Sequence, residues 1–167
     1  MRRLAELRTM IDEGRLGFRV DEVMTGQHEF DPKFGSPEKR PMEFRVTWGP
    51  KNILEWANPA HDRFMLGDLE GTVTVDGLCD QAPCTGSLEL RYLKDHTIRY
   101  SFGFQAGGQA YQYIGEKVDI RLWNLPRSHT TCFGRLILQG TGELVSTSVT
   151  HFRIRSLPRF VASVRLA

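Results

Sequence analysis

From residue 64 onward, apolar side chains recur at every second position. TIRYSFGFQA sets Ile98, Tyr100, Phe102 and Phe104 against Arg99, Ser101, Gly103 and Gln105, the period of a strand with one buried face. SLELRYL repeats the pattern with Leu88, Leu90 and Tyr92, and FMLGDLEGTVTVDG with Val73 and Val75. QAYQYIGEKVDIRLW, CFGRLIL and ELVSTSVTHFRI continue it. Earlier in the chain, MEFRVTWGP places Met42, Phe44 and Val46 on one face. FRVDEVMTGQHEF reads as a strand through Phe18, Val20 and the Val23–Met24 pair, with Gly26 a position for a bulge. Helical spacing is confined to short stretches. Leu4, Leu7, Met10 and Ile11 mark a helix within residues 1–16, KNILEWANPAHD suggests one turn, and Pro158 opens a last helix in LPRFVASVRLA. DPKFGSPEKRP is a loop. Turn signals about every 10–15 residues, without strand–helix alternation, argue against a parallel α/β fold. They predict one all-β domain over residues 1–167: an antiparallel calycin/lipocalin-like barrel of roughly eight to ten strands, with short helices at the N- and C-termini.

The Gly107-Gly108 pair is a two-residue hairpin signal. Pairing Ala106 with Gln109 then fixes the register. Phe104 faces Tyr111, Phe102 faces Tyr113, Tyr100 faces Gly115 and Ile98 faces Lys117. That face is strongly aromatic, and on the opposite face Arg99 meets Glu116. Two readings of the aromatic face stay open: a filled core, or a pocket for one apolar ligand. Lys117 points inward unless a bulge at Gly115 turns it out, and Val118, Ile120 and Leu122 favour such a change of side. A buried lysine needs a partner or a ligand.

Composition narrows the class. Hydrophobic residues are 40% and charged residues 25%, with a net charge of +2, as in an ordinary globular chain. No apolar run approaches the roughly 20 residues of a membrane helix, so no integral membrane contact is expected. MRRLAELRTM lacks the apolar stretch of a secretory leader. Three cysteines, Cys79, Cys84 and Cys132, suit a reducing compartment, and a cytoplasmic location is expected. From residue 119 onward seven arginines stand against Asp119 and Glu143, a net +5. This basic stretch fits an acidic partner or an anionic surface, and equally a solvated face, because its arginines are spaced. Nucleic acid is not an expected partner, since such binding calls for a higher pI and interleaved exposed aromatics.

Residues with reactive chemistry are sparse. Cys79 and Cys84 flank four residues in GLCDQAPCTG, read as a hairpin loop. They allow a local disulfide or two free thiols, and no second pair completes a zinc site. The histidines at 28, 61, 96, 129 and 151 lack ligand spacing, so no metal is expected. Cys132 lies near His129, although a thiol–imidazole dyad requires spatial closeness that spacing alone does not supply. WNLPRSHTT (123–131) gathers an indole, an amide, a guanidinium, an imidazole and three hydroxyls, and reads either as a polar loop or as a ligand-contacting one. Nucleophile-elbow, Walker A and dinucleotide fingerprints do not occur.

Four short motifs carry a resemblance: Leu69–Gly71, Tyr100–Phe104, Tyr113–Lys117 and Thr130–Phe133. Over about residues 64–140 the chain resembles a β-rich module found with cholesterol-oxidase-like proteins of the glucose–methanol–choline flavoenzyme family. The resemblance implies a module that accompanies sterol or lipid enzymes, and it puts weight on Gly115 and Lys117. The flavoprotein's dinucleotide fold is missing from this sequence, so neither flavin nor any other cofactor is expected. Residues 1–60 lie outside the likeness.

The leading expectation is non-catalytic binding of a hydrophobic or sterol-like small molecule inside the barrel. Its contacts would be Tyr100, Phe102, Phe104, Tyr111, Tyr113, Lys117, Trp123 and His129. A second reading is an accessory domain that docks on a flavin-dependent sterol oxidase or related enzyme through its Arg-rich C-terminal segment. A third is a small enzyme acting on a bound lipid, with His129, Glu116 or Cys132 as acid, base or nucleophile.

Overall fold

Alternation gives each strand one dry and one wet face, and a sheet built from such strands can bury the dry face by curling onto itself. That is the architecture of the computed structural model, which describes residues 2–118, 131–152 and 165–166. The described strands are β1 (Phe18–Phe30), β2 (Arg40–Gly49), β3 (Leu66–Val75), β4 (Cys79–Arg91), β5 (Thr97–Ala106), β6 (Gln109–Lys117), β7 (Thr131–Leu138), β8 (Leu144–Phe152) and β9 (Arg165–Leu166). Two short helices accompany them, α1 (Arg2–Asp12) and α2 (Ile53–Ala57). Each strand from β1 to β7 pairs antiparallel with the next. β1 then pairs with β8, from Met24 opposite Phe152 to Phe30 opposite Ser146, and closes an eight-stranded barrel.

The register expected around the Gly107-Gly108 turn is the one observed. Both glycines have positive φ, 55° and 76°, which side-chain-bearing residues rarely adopt and which suits the tight hairpin. Arg99 and Glu116 meet on the outer wall at 2.8 Å. The β5–β6 ladder runs unbroken to Ile98 opposite Lys117. A bulge at Gly115 is therefore absent, and Lys117 is buried. Val118 stands 42% exposed; Ile120 and Leu122 lie outside the described residues.

Other local expectations shift. β1 passes through Gly26 without a bulge. Irregular pairing occurs instead between Val73 and Val75 and between Leu136 and Ile137. The cysteine-bearing segment is not a loop, because β4 already begins at Cys79. Cys79 faces Val75 and Cys84 faces Gly71, which separates them by roughly 13 Å along β3, too far for a disulfide. Both are free thiols. The C-terminal helix falls mostly outside the described residues; Arg165–Leu166 form a strand beside Phe18 and Arg19.

The two ends of the barrel differ. At one end the strands are joined by the short turns 76–78 and 107–108 and by the segments 31–39 and 139–143. At the other lie α1, the α2-bearing connection 50–65, the 92–96 turn, and the points where β6 and β8 end. Asn52 caps α2 by accepting from the Leu54 amide at 3.0 Å. The wall is mostly apolar inside and bears Glu43, Arg45, Glu70, Arg99 and Glu116 outside, the reverse of a transmembrane barrel. No described helix is long and apolar enough to cross a membrane.

Candidate functional site

Six of the eight expected ligand contacts line one inner wall. Tyr100, Phe102 and Phe104 come from β5, and Tyr111, Tyr113 and Lys117 from β6. Trp123 and His129 lie outside the described residues. The aromatic rings pack on one another. Phe102 stacks on Tyr113 at 4.8 Å and Phe104 on Tyr111 at 5.5 Å. Phe44, reaching in from β2, sits 5.5 Å from each of Tyr100, Phe102 and Tyr113. Phe44, Tyr100, Phe102 and Tyr113 have 0% exposure, so no water-sized void adjoins them. The centre of the barrel is filled.

Tyr113 crosses the interior over two inward glycines. A Cβ on Gly134 would stand 2.2 Å from the Tyr113 hydroxyl, and one on Gly115 would stand 2.7 Å from both Cys132 Sγ and the Tyr113 ring. The missing side chains are what admit the phenol. Its hydroxyl lies 3.3 Å from Ser148 Oγ and 3.9 Å from Cys132 Sγ. Burial raises the Tyr113 and Tyr100 phenols well above their ordinary range, so both remain protonated donors at neutral pH.

The chemically distinctive group lies toward the end with the longer connections. Glu22 projects inward from β1 and is 5% exposed, and Lys117 is 4% exposed. Lys117 Nζ donates to Glu22 Oε1 at 2.7 Å. The Tyr100 hydroxyl donates to the same oxygen at 2.9 Å, and Trp48 Nε1 donates to Oε2 at 3.2 Å. Lys117 Nζ also lies 5.2 Å from the Tyr100 ring centroid, within cation–π range. Phe18 packs edge-on against Trp48 and Trp56 beside this cluster. Glu22 and Trp48 were not among the expected contacts. Glu22 shares its strand face with Val20 and Met24, and Trp48 shares one with Phe44 and Val46, so alternation alone marks both as inward.

Of the three residues of the enzymatic reading, His129 lies outside the described residues, and Glu116 and Cys132 do not meet. Glu116 pairs with Arg99 on the outer wall, whereas Cys132 is fully buried inside. Burial pushes the Cys132 and Cys84 thiols up to about 11, far from the thiolate a nucleophile needs. Cys79 is half-buried, and burial raises its thiol too. Iodoacetamide is expected to modify Cys79 first in the native protein. Cys84 and Cys132 should react only on unfolding, as peptide mass spectrometry would reveal. Among the described residues, no cluster of ligating side chains could hold a metal ion.

A second buried polar group sits toward the short-turn end. His28 is 2% exposed. Its Nε2 lies 2.9 Å from the Asp76 carbonyl and its Nδ1 2.9 Å from Ser146 Oγ. These partners assign the proton to Nε2, with Ser146 donating to Nδ1. Burial lowers its pKa, with Arg40 adding to the effect and the Asp76 carbonyl and carboxylate opposing it. The folded pKa is below the unfolded value, so this stabilisation is complete above about pH 6.5 and is lost as pH falls from there. Melting temperatures measured between about pH 7 and 5 should fall more steeply for the wild type than for His28→Gln. Parallel profiles would remove the assignment.

Three cavities border the described wall. One of about 720 Å³ lies on the outer surface of β7, β8 and β1 beside Phe133 and Val149. One of about 230 Å³ adjoins α2 at Glu55 and Trp56. The third, about 350 Å³, lies at the barrel rim between Phe64–Leu66 and Leu90–Lys94. Tyr92 lines the third, and its phenol is raised by burial and then by the charge of Glu22; Leu90 lines it too and pairs with Ile98, which pairs in turn with Lys117, so this rim cavity lies near the buried ion pair. In comparisons with known proteins, no family model, curated protein or solved structure matches the chain.

Proposed function

We propose that this barrel is a non-catalytic binding domain of the cytoplasm for a hydrophobic or sterol-like small molecule with one polar end. The ligand sits at the end with the longer connections, with its polar end toward Glu22 and Lys117, and not in a central lumen. The observation that carries the reading is the buried ion pair. Desolvating two charges costs several kcal/mol, and an apolar pair of equal volume often holds a fold as well or better. The pair is therefore poorly explained by stability and better explained by recognition. The likeness to modules that accompany sterol enzymes supports the lipid class. Native mass spectrometry of gently purified protein, followed by organic extraction, tests it. A co-purifying amphiphile of defined mass is the expected result, and a clean apo mass with no thermal shift from any lipid would sink the idea.

A second reading is an accessory docking domain for a flavin-dependent sterol oxidase or related enzyme. The filled centre favours it, as do Phe133 and Val149, which face each other across β7 and β8 with 52% and 40% exposure. Co-expression with such an oxidase should give a complex on size exclusion that Phe133→Asp abolishes. Independent elution of the two proteins would remove this reading.

A further inference from the structure

We propose that Trp48, Tyr100 and Lys117 form a carboxylate-binding site, filled in this structure by Glu22, that accepts the head group of a monocarboxylate amphiphile. The inference rests on the small-molecule reading above and deepens it by naming the head group. Three donors from three different strands converge on one carboxylate, at 2.7, 2.9 and 3.2 Å. An ammonium and an indole N–H have no acceptor capacity, so the occupant must accept hydrogen bonds. It must also be anionic, because Lys117 is 4% exposed and a buried cation without a counter-charge is strongly disfavoured.

A neutral hydroxyl head, as on a sterol, can accept hydrogen bonds but carries no charge, so it fails the second condition. With Glu22 in place all three donors are engaged, and with Glu22 displaced the lysine charge is unmatched. Exchange of a ligand carboxylate for that of Glu22, with the Glu22 side chain turned out of the site, leaves the charge beside Lys117 unchanged. The approach for an alkyl tail is the rim cavity of about 350 Å³, whose wall includes Phe64, Met65, Leu90 and Leu93. Leu90 in that wall pairs with Ile98, which pairs on its other side with Lys117.

Glu22→Ala empties the site while leaving the three donors. Its melting temperature should fall by roughly 10 °C, as for a buried pair that has lost one partner. Roughly half of that loss or more should return when acetate or propionate replaces chloride at equal ionic strength. Glu22→Ala/Lys117→Met should gain nothing from the same exchange. If Glu22→Ala does not fold unaided, its refolding yield in acetate against chloride supplies the readout. No carboxylate-specific recovery by either measure overturns the proposal. Wild-type protein is titrated in parallel with decanoate and cholesterol, following tryptophan fluorescence with Trp48→Phe as the blank. Saturable decanoate binding that Lys117→Met abolishes supports both site and reading. Recovery of Glu22→Ala with no ligand bound by the wild type upholds the site and overturns the small-molecule reading. Cholesterol binding that leaves Lys117→Met unaffected overturns the choice of head group.

Discussion

Lys117→Met is expected to cost about 3–5 kcal/mol of folding stability, the loss found when one member of a buried ion pair is removed. The cost arises from what remains. Glu22 is 5% exposed, and its charge would be left to the neutral donors Tyr100 and Trp48. Replacing both partners, as in Glu22→Leu/Lys117→Met, removes the stranded charge and should recover most of the loss. Urea unfolding of the two variants makes the comparison. If the double variant is no more stable than Lys117→Met, the pair holds the barrel together and the argument for recognition fails. For a chain of this size the single substitution corresponds to a melting shift of roughly 10 °C.

Phe44→Ala is expected to be comparably severe, about 3–5 kcal/mol. Phe44 is fully buried and contacts three aromatic rings from the opposite wall. Its removal leaves a dry void in the middle of the barrel, because the surrounding groups are apolar or ring faces. Benzene should therefore raise the melting temperature of Phe44→Ala and leave the wild type unchanged. Equal stabilisation of both proteins would mean that the native centre already has room for a ring. The pair of measurements separates a filled barrel, which binds at its rim, from an open one.

The β5–β6 hairpin is legible in the sequence because two independent signals agree there. The glycine pair fixes the turn, and unbroken alternation carries its register from Ala106 back to Ile98 and from Gln109 on to Lys117. Lys117 itself is ambiguous, since the apolar Val118 next to it competes for the inner face; the continuous ladder decides the matter. β8 is less legible. Near its start Leu136 pairs with Ser146 and Ile137 with Leu144, so the ladder irregularity leaves Val145 between the paired positions. Ser146, Ser148 and Thr150 then turn inward and Val149 outward, against their hydrophobicity. Glu22 has a readable parity but no local sign of its partner, which lies on β6. Whether the lumen is open also escapes local patterns, because it depends on how far Phe44 reaches from the facing wall.

The seam between β1 and β8 has a kinetic consequence. Every other neighbouring pair in the barrel joins strands consecutive in sequence, whereas this seam brings Met24 to Phe152. Hairpins can form early and independently, but no strand set is edge-free until the two remote strands meet, and such distant pairing slows folding. Until that moment β1 and β8 each expose an unpaired backbone edge that another chain could extend. The partly folded protein is thus most vulnerable to self-association along the strands that carry Glu22, His28 and the inward hydroxyl row. Slow dilution from denaturant should protect it best.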